Sequence, residues 1–355
     1  MTGPARAPAR MLAVMILLPL TAGEGDAVEF PLREDGSALI GEVQRVRTRY
    51  EDTLIELARK YSLGYEELVR VNKGVDPWLP GAGTEILIPG QRLLPPGERE
   101  GIVVNLPEHR MYHFPKPAKG EQPKVFTFPV SVGKMDWRTP LGITKVVRKQ
   151  KDPPWHPPES VRKDRAARGD PPLPPVVPPG PDNPLGTRAL RLDIPGGSYL
   201  IHGTNNPDAV GMAVTHGCLR MYPEDVERLF DVTPVGTRVA LINEPLKLAR
   251  FGGEVWLEVH PPVDETGQVK PVDIEAFETR LNELLDEAEV IIDWDTALRL
   301  MREATGMPAL IGLELAPEGS GSVPGTEAPA EAPAEAPADA PADAPAAAPV
   351  RDAAP

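Results

Sequence analysis

The chain has almost no cysteine: a single residue, Cys218, in 355. That excludes a disulfide framework and leaves two roles for the thiol, a small buried hydrophobe or a reactive group. Aromatic residues are scarce at 5%, while 45 prolines break the chain throughout, a composition that favours short strands and long loops. Beyond residue 20 there is no hydrophobic run approaching the roughly 20 residues of a membrane-spanning helix. Positive charge is in deficit as well. Formal net charge is -14, of which residues 317–355 supply a share with seven acids and one base. The body is mildly acidic and has no basic stripe to track phosphates, so nucleic acid is not an expected partner.

The amino-terminal segment has the grammar of export. Arg6 and Arg10 precede the apolar run "MLAVMILLPL", and small residues follow at Thr21, Ala22, Gly23, Gly25 and Ala27. A signal peptide over residues 1–27 is expected, cleaved after Ala22 or Ala27, with no cysteine there to take a lipid. The mature protein is expected to be soluble, without a transmembrane segment. At the other end, residues 317–355 repeat Ala, Pro and one acid and are too polar to bury a core, so disorder is expected. They read as a spacer, a charged brush or a dispensable extension.

Between these ends three regions are distinguishable. Over residues 42–90, "QRVRTRY" predicts a strand, and Thr53 with Glu56 forms a capping box before Leu54, Leu57, Ala58 and Tyr61 at helical spacing. "SLGYEELVRVN" predicts a second helix and "GTEILIPG" a closing strand. This βααβ order, carried by "DTLIELARKYSLGYEELVRVN" and "GTEILIP", resembles the LysM module. The resemblance implies binding of N-acetylglucosamine-containing glycans; a plain βααβ spacer is the alternative. The turn before Asp52 departs from the family, reading "RYEDTL" where Pro-Gly is common.

Residues 99–243 read as a mainly β domain: "GIVVNLPEHRMYHF" turns at Pro107 and Glu108, and "KVFTFPVSVGK", "GITKVVRKQ", "TRALRLDI", "SYLIHG" and "TRVALIN" follow as strands. Residues 153–184 interrupt them with 12 prolines in 32 residues, an ordered excursion expected near a site. Over residues 244–316, "GGEVWLEVHPP" predicts a strand and "VDIEAFETRLNELLDEAEV" a helix capping the β domain.

The chemistry gathers around "THGCLRM". A strand ends at His202, a Gly- and Asn-rich loop follows, and Cys218 arrives before a helix opened by Pro223, Glu224 and Asp225. Cysteine attacks as thiolate, and nearby positive charge from His202, His216 or Arg220 is expected to lower its pKa. His202 followed by Gly203 has the form of a base held by an orienting group. Gly217 allows close backbone approach, and the N–H groups of Gly217 and Cys218 suit an oxyanion hole. A packed core thiol and a zinc site on His202, His216 and Cys218 are the competing readings; a structural zinc wants four ligands, and His109, His113, His156 and His260 lack metal spacing.

At these residues the chain resembles the L,D-transpeptidase family and its YkuD-type catalytic domain. The matching positions are His202, Thr215, His216, Gly217, Cys218 and Arg220, with "IVVNLPEHRMY", "VSVGK", "TPLG" and "PPVVPPGPDNPLGTRALRL" upstream. Thr215 stands where Ser is frequent, and Leu219 where a β-branched residue is frequent. The resemblance implies a β-sandwich-like fold and action on peptidoglycan stems in the periplasm. Cys218 would attack the diamino acid carbonyl at stem position 3 and release D-alanine, with His202 as proton acceptor and the Gly203 carbonyl orienting it. It also implies His216, Gly217 and the Cys218 amide on the oxyanion side, and Arg220, Thr215 and Asn205 toward substrate. An amine resolves the thioester: another stem for a 3-3 cross-link, or the C-terminal lysine of an outer-membrane lipoprotein, as in the subgroup with an N-terminal LysM. Such acyl transfer needs no cofactor and no metal. A hydrolase using the same cysteine, and a wall-binding protein without catalysis, are the alternatives. Trp137, Trp155 and Tyr112 are candidates for the groove or for the core.

Overall fold

The computed structural model describes residues 28–133, 139–195, 199–262, 268–286 and 288–315. The expected signal peptide, the Ala/Pro/acidic tail and Trp137 lie outside the described residues. No helix among those described is long and apolar enough to cross a membrane. The fold is mainly β. Its centre is a nine-stranded sheet in the order Val28–Pro31, Lys124–Pro129, Arg110–Phe114, Gly101–Asn105, Arg238–Ile242, Gly142–Lys151, Arg188–Leu192, Leu200–His202 and Leu219–Arg220. The edge strand Val28–Pro31, antiparallel to Lys124–Pro129, is an element that sequence reading passed over.

Strand alternation explains the burial. Along Gly101–Asn105, Ile102 and Val104 enter one core while Val103 enters another, as period-2 geometry requires. The first core also receives Leu190, Leu192, Ile201 and Leu219 from the far half of the sheet, and Val226, Leu229 and Phe230 from the helix Pro223–Val232. Both halves of the curled sheet therefore close on one apolar filling.

The βααβ order of residues 42–90 is present. Strand Val43–Arg47 pairs antiparallel with Glu85–Pro89, and helices Leu54–Lys60 and Tyr65–Val71 bury Leu54, Leu57, Ala58 and Leu68 against Ile86 and Ile88. Thr53 and Glu56 form both bonds of the capping box, at 3.1 and 3.2 Å. The first strand stops at Arg47, short of the predicted Tyr50, because the Arg49 N–H turns to the Asp52 carboxylate at 2.6 Å.

This unit is docked on the β domain. The Tyr65 N–H donates to the Val210 carbonyl at 3.0 Å, the Tyr222 hydroxyl donates to the Leu63 carbonyl at 3.1 Å, and the buried Arg110 meets Glu67 at 2.6 Å. Gly64 and Gly211 touch so closely that a Cβ on Gly211 would stand 2.3 Å from the Gly64 Cα.

Residues 244–315 correct the sequence reading. The helix Ile274–Leu285 does not cap the β domain; it packs with a second helix, Trp294–Glu303, on a separate four-stranded sheet around its own core. Leu246–Phe251, Glu254–Val259, Ala309–Glu314 and Val290–Ile292 form that sheet. It joins the β domain through Lys247, whose buried ammonium lies 2.6 Å from Glu258 and 3.1 Å from Glu108 and donates to the Leu93 carbonyl at 2.6 Å. His260 completes the cluster, with Nε2 2.6 Å from Glu258. Among the described residues, Glu108, Glu258 and His260 are the group whose ligand atoms converge enough for a metal, and the lysine already supplies the cation between its carboxylates.

Candidate active site

The site is written in strand periodicity. Leu200–His202 and Leu219–Arg220 run parallel, with Ile201 opposite Leu219 and His202 opposite Arg220. Ile201 and Leu219 point into the apolar core. Leu200, His202, Cys218 and Arg220 therefore share the opposite face, and all four line one cavity of about 530 Å³. Sequence separation of sixteen residues between His202 and Cys218 disappears because the intervening loop folds back to restore strand pairing.

That loop is held at several points. Gly217 has φ +97°, a conformation that side-chain-bearing residues rarely adopt. Its carbonyl accepts from the Thr139 hydroxyl at 3.1 Å, and the Thr215 hydroxyl donates to the Cys218 carbonyl at 2.6 Å. Arg220 exchanges backbone bonds with Ser131 at 2.8 and 3.1 Å, and the Met221 N–H donates to the His202 carbonyl at 2.9 Å. Thr139 lies in the quoted "TPLG" stretch, but spacing alone does not reveal its partner.

His202 is buried, and its Nδ1 lies 2.6 Å from the Gly203 carbonyl. With the proton on Nδ1 as donor to that carbonyl, Nε2 is an acceptor. Gly203 is small for a packing reason too, since a Cβ there would meet Val226 at 3.0 Å.

Electrostatics depart from the expectation of a lowered cysteine pKa. Burial pushes the Cys218 thiol up, and this outweighs the opposing Leu200 backbone hydrogen bond and Arg220 charge. Burial, reinforced by Arg220, pulls His202 down to about 3 against the pull of its Gly203 bond. Both partners therefore rest uncharged. The reason is desolvation, which sequence spacing does not report.

The proline-rich excursion roofs the cavity. Pro153, Trp155, His156, Ser160 and Val161 line it from above. Trp155 and Val177 exchange backbone bonds, and the fully buried Asn183 side chain gathers the carbonyls of Pro153, Val177 and Pro178 at 2.8 to 3.4 Å. Arg162, on the helix Glu159–Ala167, donates to the Leu173 and Pro174 carbonyls at 2.7 and 2.8 Å. From the same helix Asp164 lies 3.6 Å from His216 Nε2, connecting the roof to the cysteine loop. Asn183 and Asp164 escaped sequence reading because their partners are defined only by the folded loop.

Thr215, His216, Cys218, His202 and Arg220 all reach the cavity, and Gly203 and Gly217 shape its backbone. Asn205 does not: it is exposed at a turn where Thr204 accepts the Asn206 N–H at 2.9 Å, and it is outside the lining. Of the two roles open to Tyr112 and Trp155, Tyr112 takes the core, fully buried and bonded to Glu108, whereas Trp155 lines the cavity.

Comparison with known proteins agrees with this geometry. The family model of the YkuD L,D-transpeptidase catalytic domain matches residues 99–241. Probable L,D-transpeptidase YcfS of Escherichia coli strain K12 is 37% identical over 304 residues, covering 83% of this chain and 90% of that protein. Probable L,D-transpeptidase YbiS of the same strain is 37% identical over 292 residues, covering 79% and 91%. Probable L,D-transpeptidase ErfK/SrfK, also of that strain, is 40% identical over 241 residues, covering 67% and 75%.

Proposed function

The chain belongs to the L,D-transpeptidase family, and from that premise we propose that it is a peptidoglycan transpeptidase working through a Cys218 thioester. The observation that carries this reading is the shared face: His202, fixed through Nδ1 at 2.6 Å to Gly203, and Cys218, immediately before the neighbouring parallel strand, open into one cavity.

Both groups start neutral. As the Cys218 sulfur attacks the carbonyl of the diamino acid at stem position 3, His202 Nε2 takes the thiol proton and the carbonyl becomes an oxyanion. Collapse breaks the amide bond, D-alanine leaves with the proton from His202, and the acyl group stays on sulfur. An amine then attacks the thioester, loses a proton to His202, and restores the thiol. Arg220 favours thiolate and oxyanion but disfavours the imidazolium, so the ion pair is transient. The N–H groups of Gly217 and Cys218, beside His216, are assigned to the oxyanion, where one donor typically contributes about 3 kcal/mol.

The acceptor is a second stem or a lipoprotein C-terminal lysine. The docked βααβ unit is assigned to glycan, as the LysM resemblance implies, and the site to the periplasm after removal of residues 1–27. Because that unit is fixed to the β domain by Arg110–Glu67 and the Gly64–Gly211 contact, glycan held there would present its stem from a constant direction.

The test incubates mature protein and Cys218→Ala with tetrapeptide muropeptides and a lysine-ended peptide, read by mass spectrometry. Joined product that depends on Cys218 is expected. Free tripeptide without joining would make the chain a hydrolase, and an inert Cys218 would leave a wall-binding protein.

A further inference from the structure

The cavity has a charge that the rest of the chain does not share. Against a formal net charge of -14, its described lining carries Arg148, Arg191 and Arg220 and not one Asp or Glu. Arg220 belongs to the strand that follows Cys218. Arg148 and Arg191 have no role in the acyl transfer described above.

Their placement follows from register. Arg148 on Gly142–Lys151 is opposite Arg191 on Arg188–Leu192, Arg191 is opposite Leu200, and Leu200 bonds toward Cys218 through its backbone. Arg148, Arg191 and Leu200 thus form one row across three strands, and it continues to Cys218 at the entry to the fourth. With strands about 4.8 Å apart, the two arginine Cα atoms stand roughly 10 and 14 Å from that of Cys218. A β-bulge between Val146 and Arg148 puts Arg148 in this row: Val146 faces the core, and the extra residue Val147 turns Arg148 to the cavity face.

Both guanidinium groups are exposed, and among the described residues neither has an ion-pair partner. Like charges directly opposite on antiparallel strands repel. A carboxylate between them relieves the repulsion and accepts in the fork geometry that suits guanidinium.

We propose that Arg148 and Arg191 form a carboxylate subsite of the cavity, binding a peptide carboxylate remote from the bond that Cys218 attacks. The inference rests on the peptidoglycan reading above. The spacing corresponds to about three or four residues of extended peptide, the length of a stem. The carboxylate belongs to the acyl donor or to the acceptor, and kinetics separate the two.

The experiment uses mature protein and an Arg148→Gln/Arg191→Gln double variant. Donors are a tetrapeptide muropeptide with free carboxylates and one amidated everywhere except on the leaving D-alanine; acceptors are lysine-ended peptides with a free or amidated terminus. Acyl-enzyme formation is followed by intact-protein mass spectrometry, and transfer by product mass. A donor carboxylate predicts about a tenfold preference for the acid donor in kcat/KM of acylation, expressed in KM and erased by the double variant. An acceptor carboxylate predicts the same pattern in the transfer step. In either case Arg148→Lys/Arg191→Lys restores part of the preference, which a purely structural role would not do. An acid-to-amide ratio untouched by the double variant in both steps, with Cys218-dependent product still formed, overturns the subsite and leaves the transpeptidase reading standing. If no Cys218-dependent product forms, that reading falls instead. The subsite is then judged by calorimetric binding of both donors to Cys218→Ala with and without the arginine pair, where equal acid and amide affinities overturn it.

Discussion

Two units are fastened to the catalytic β domain, and they are fastened differently. The βααβ unit is held by backbone contact, Gly64 against Gly211 and Tyr65 to Val210, with a partly exposed ion pair, Arg59 to Glu224 at 2.8 Å, and a buried one, Arg110 to Glu67. These contacts end on the loop that leads to Cys218, on the helix that leaves it and, through Arg110, on the strand Arg110–Phe114 of the central sheet. The carboxyl-terminal unit is held by Lys247 among Glu108, Glu258 and the Leu93 carbonyl, beside the second core. The first junction shares backbone with the loop before Cys218, whereas the second is centred on the buried Lys247; Arg92, 2.9 Å from Glu67 and acting on Glu108 by its charge, stands between them. Damage at the first belongs in the kinetics, and damage at the second belongs in stability.

The largest expected effect breaks the second junction. Lys247→Met leaves Glu108 and Glu258 buried without their cation, and loss of one partner from such a site costs about 3 to 5 kcal/mol. Denaturant unfolding should show this loss, while turnover per folded molecule stays at the wild-type level. A matching loss of turnover in the folded fraction would mean that the two junctions are not separate.

The first junction is broken by Gly211→Ala. A Cβ there meets the Gly64 Cα at 2.3 Å and the Tyr65 nitrogen at 2.7 Å, and the backbone sits at φ +86°. Overpacking of this kind costs about 1 to 3 kcal/mol, less than Lys247→Met. Because Val210 and Gly211 lie on the loop to Cys218, kcat per folded molecule should fall by about tenfold or more, as misplacement of catalytic groups allows. Stopped turnover assays on protein quantified by active-thiol titration would read it, and an unchanged kcat would detach the unit from catalysis.

The two junctions also differ in how far the sequence discloses them. The helices of the βααβ unit were legible because capping and 3.6-residue spacing are local, and Thr53 with Glu56 needs no tertiary partner. The candidate site was legible because His216, Gly217, Cys218 and Arg220 stand within five positions and His202 closes a strand shortly before them; the fold brings His202, His216, Cys218 and Arg220 to one cavity. Contacts such as Gly64 to Gly211 and Lys247 to Glu108 join residues more than a hundred positions apart, and no local pattern marks them. The second carboxyl-terminal helix, Trp294–Glu303, did carry local signals: Asp293 accepts the Thr296 N–H at 3.0 Å, and Ala297, Leu300 and Met301 share its buried face. Charge state was hidden for a different reason. Cys218, His202 and Arg220 suggest a lowered thiol pKa by proximity, but burial outweighs proximity, and burial is a property of the fold.

The smallest effect separates active site from second junction by pH. His202 is held down at about 3, below its ordinary value of about 6.5, and Glu108 at about 2, below about 4.5; burial opposes ionisation in each, but at Glu108 the charges of Lys247, His260 and Arg92 prevail. For both groups the unfolded chain binds the proton more readily. Stability is therefore complete above the unfolded value and is lost as pH falls toward the folded one. His202 contributes its loss from about pH 6.5 downward, in a window shared with His113, which burial lowers to about 4. Glu108 contributes from about pH 4.5 downward. His202→Asn should then remove one proton's worth of slope between pH 6.5 and 4.5 from the unfolding free energy. Lys247→Met should leave that slope and flatten the curve below pH 4.5, because Glu108 no longer has the cation that most lowers it. Unfolding midpoints measured across pH 3 to 8 for the three proteins give both slopes; a His202→Asn curve parallel to wild type between pH 4.5 and 6.5 would mean that folding does not lower His202, and a wild-type fall in stability above pH 6.5 that His202→Asn abolishes would mean that His202 is charged at rest, so that the neutral starting pair at Cys218 would have to be abandoned.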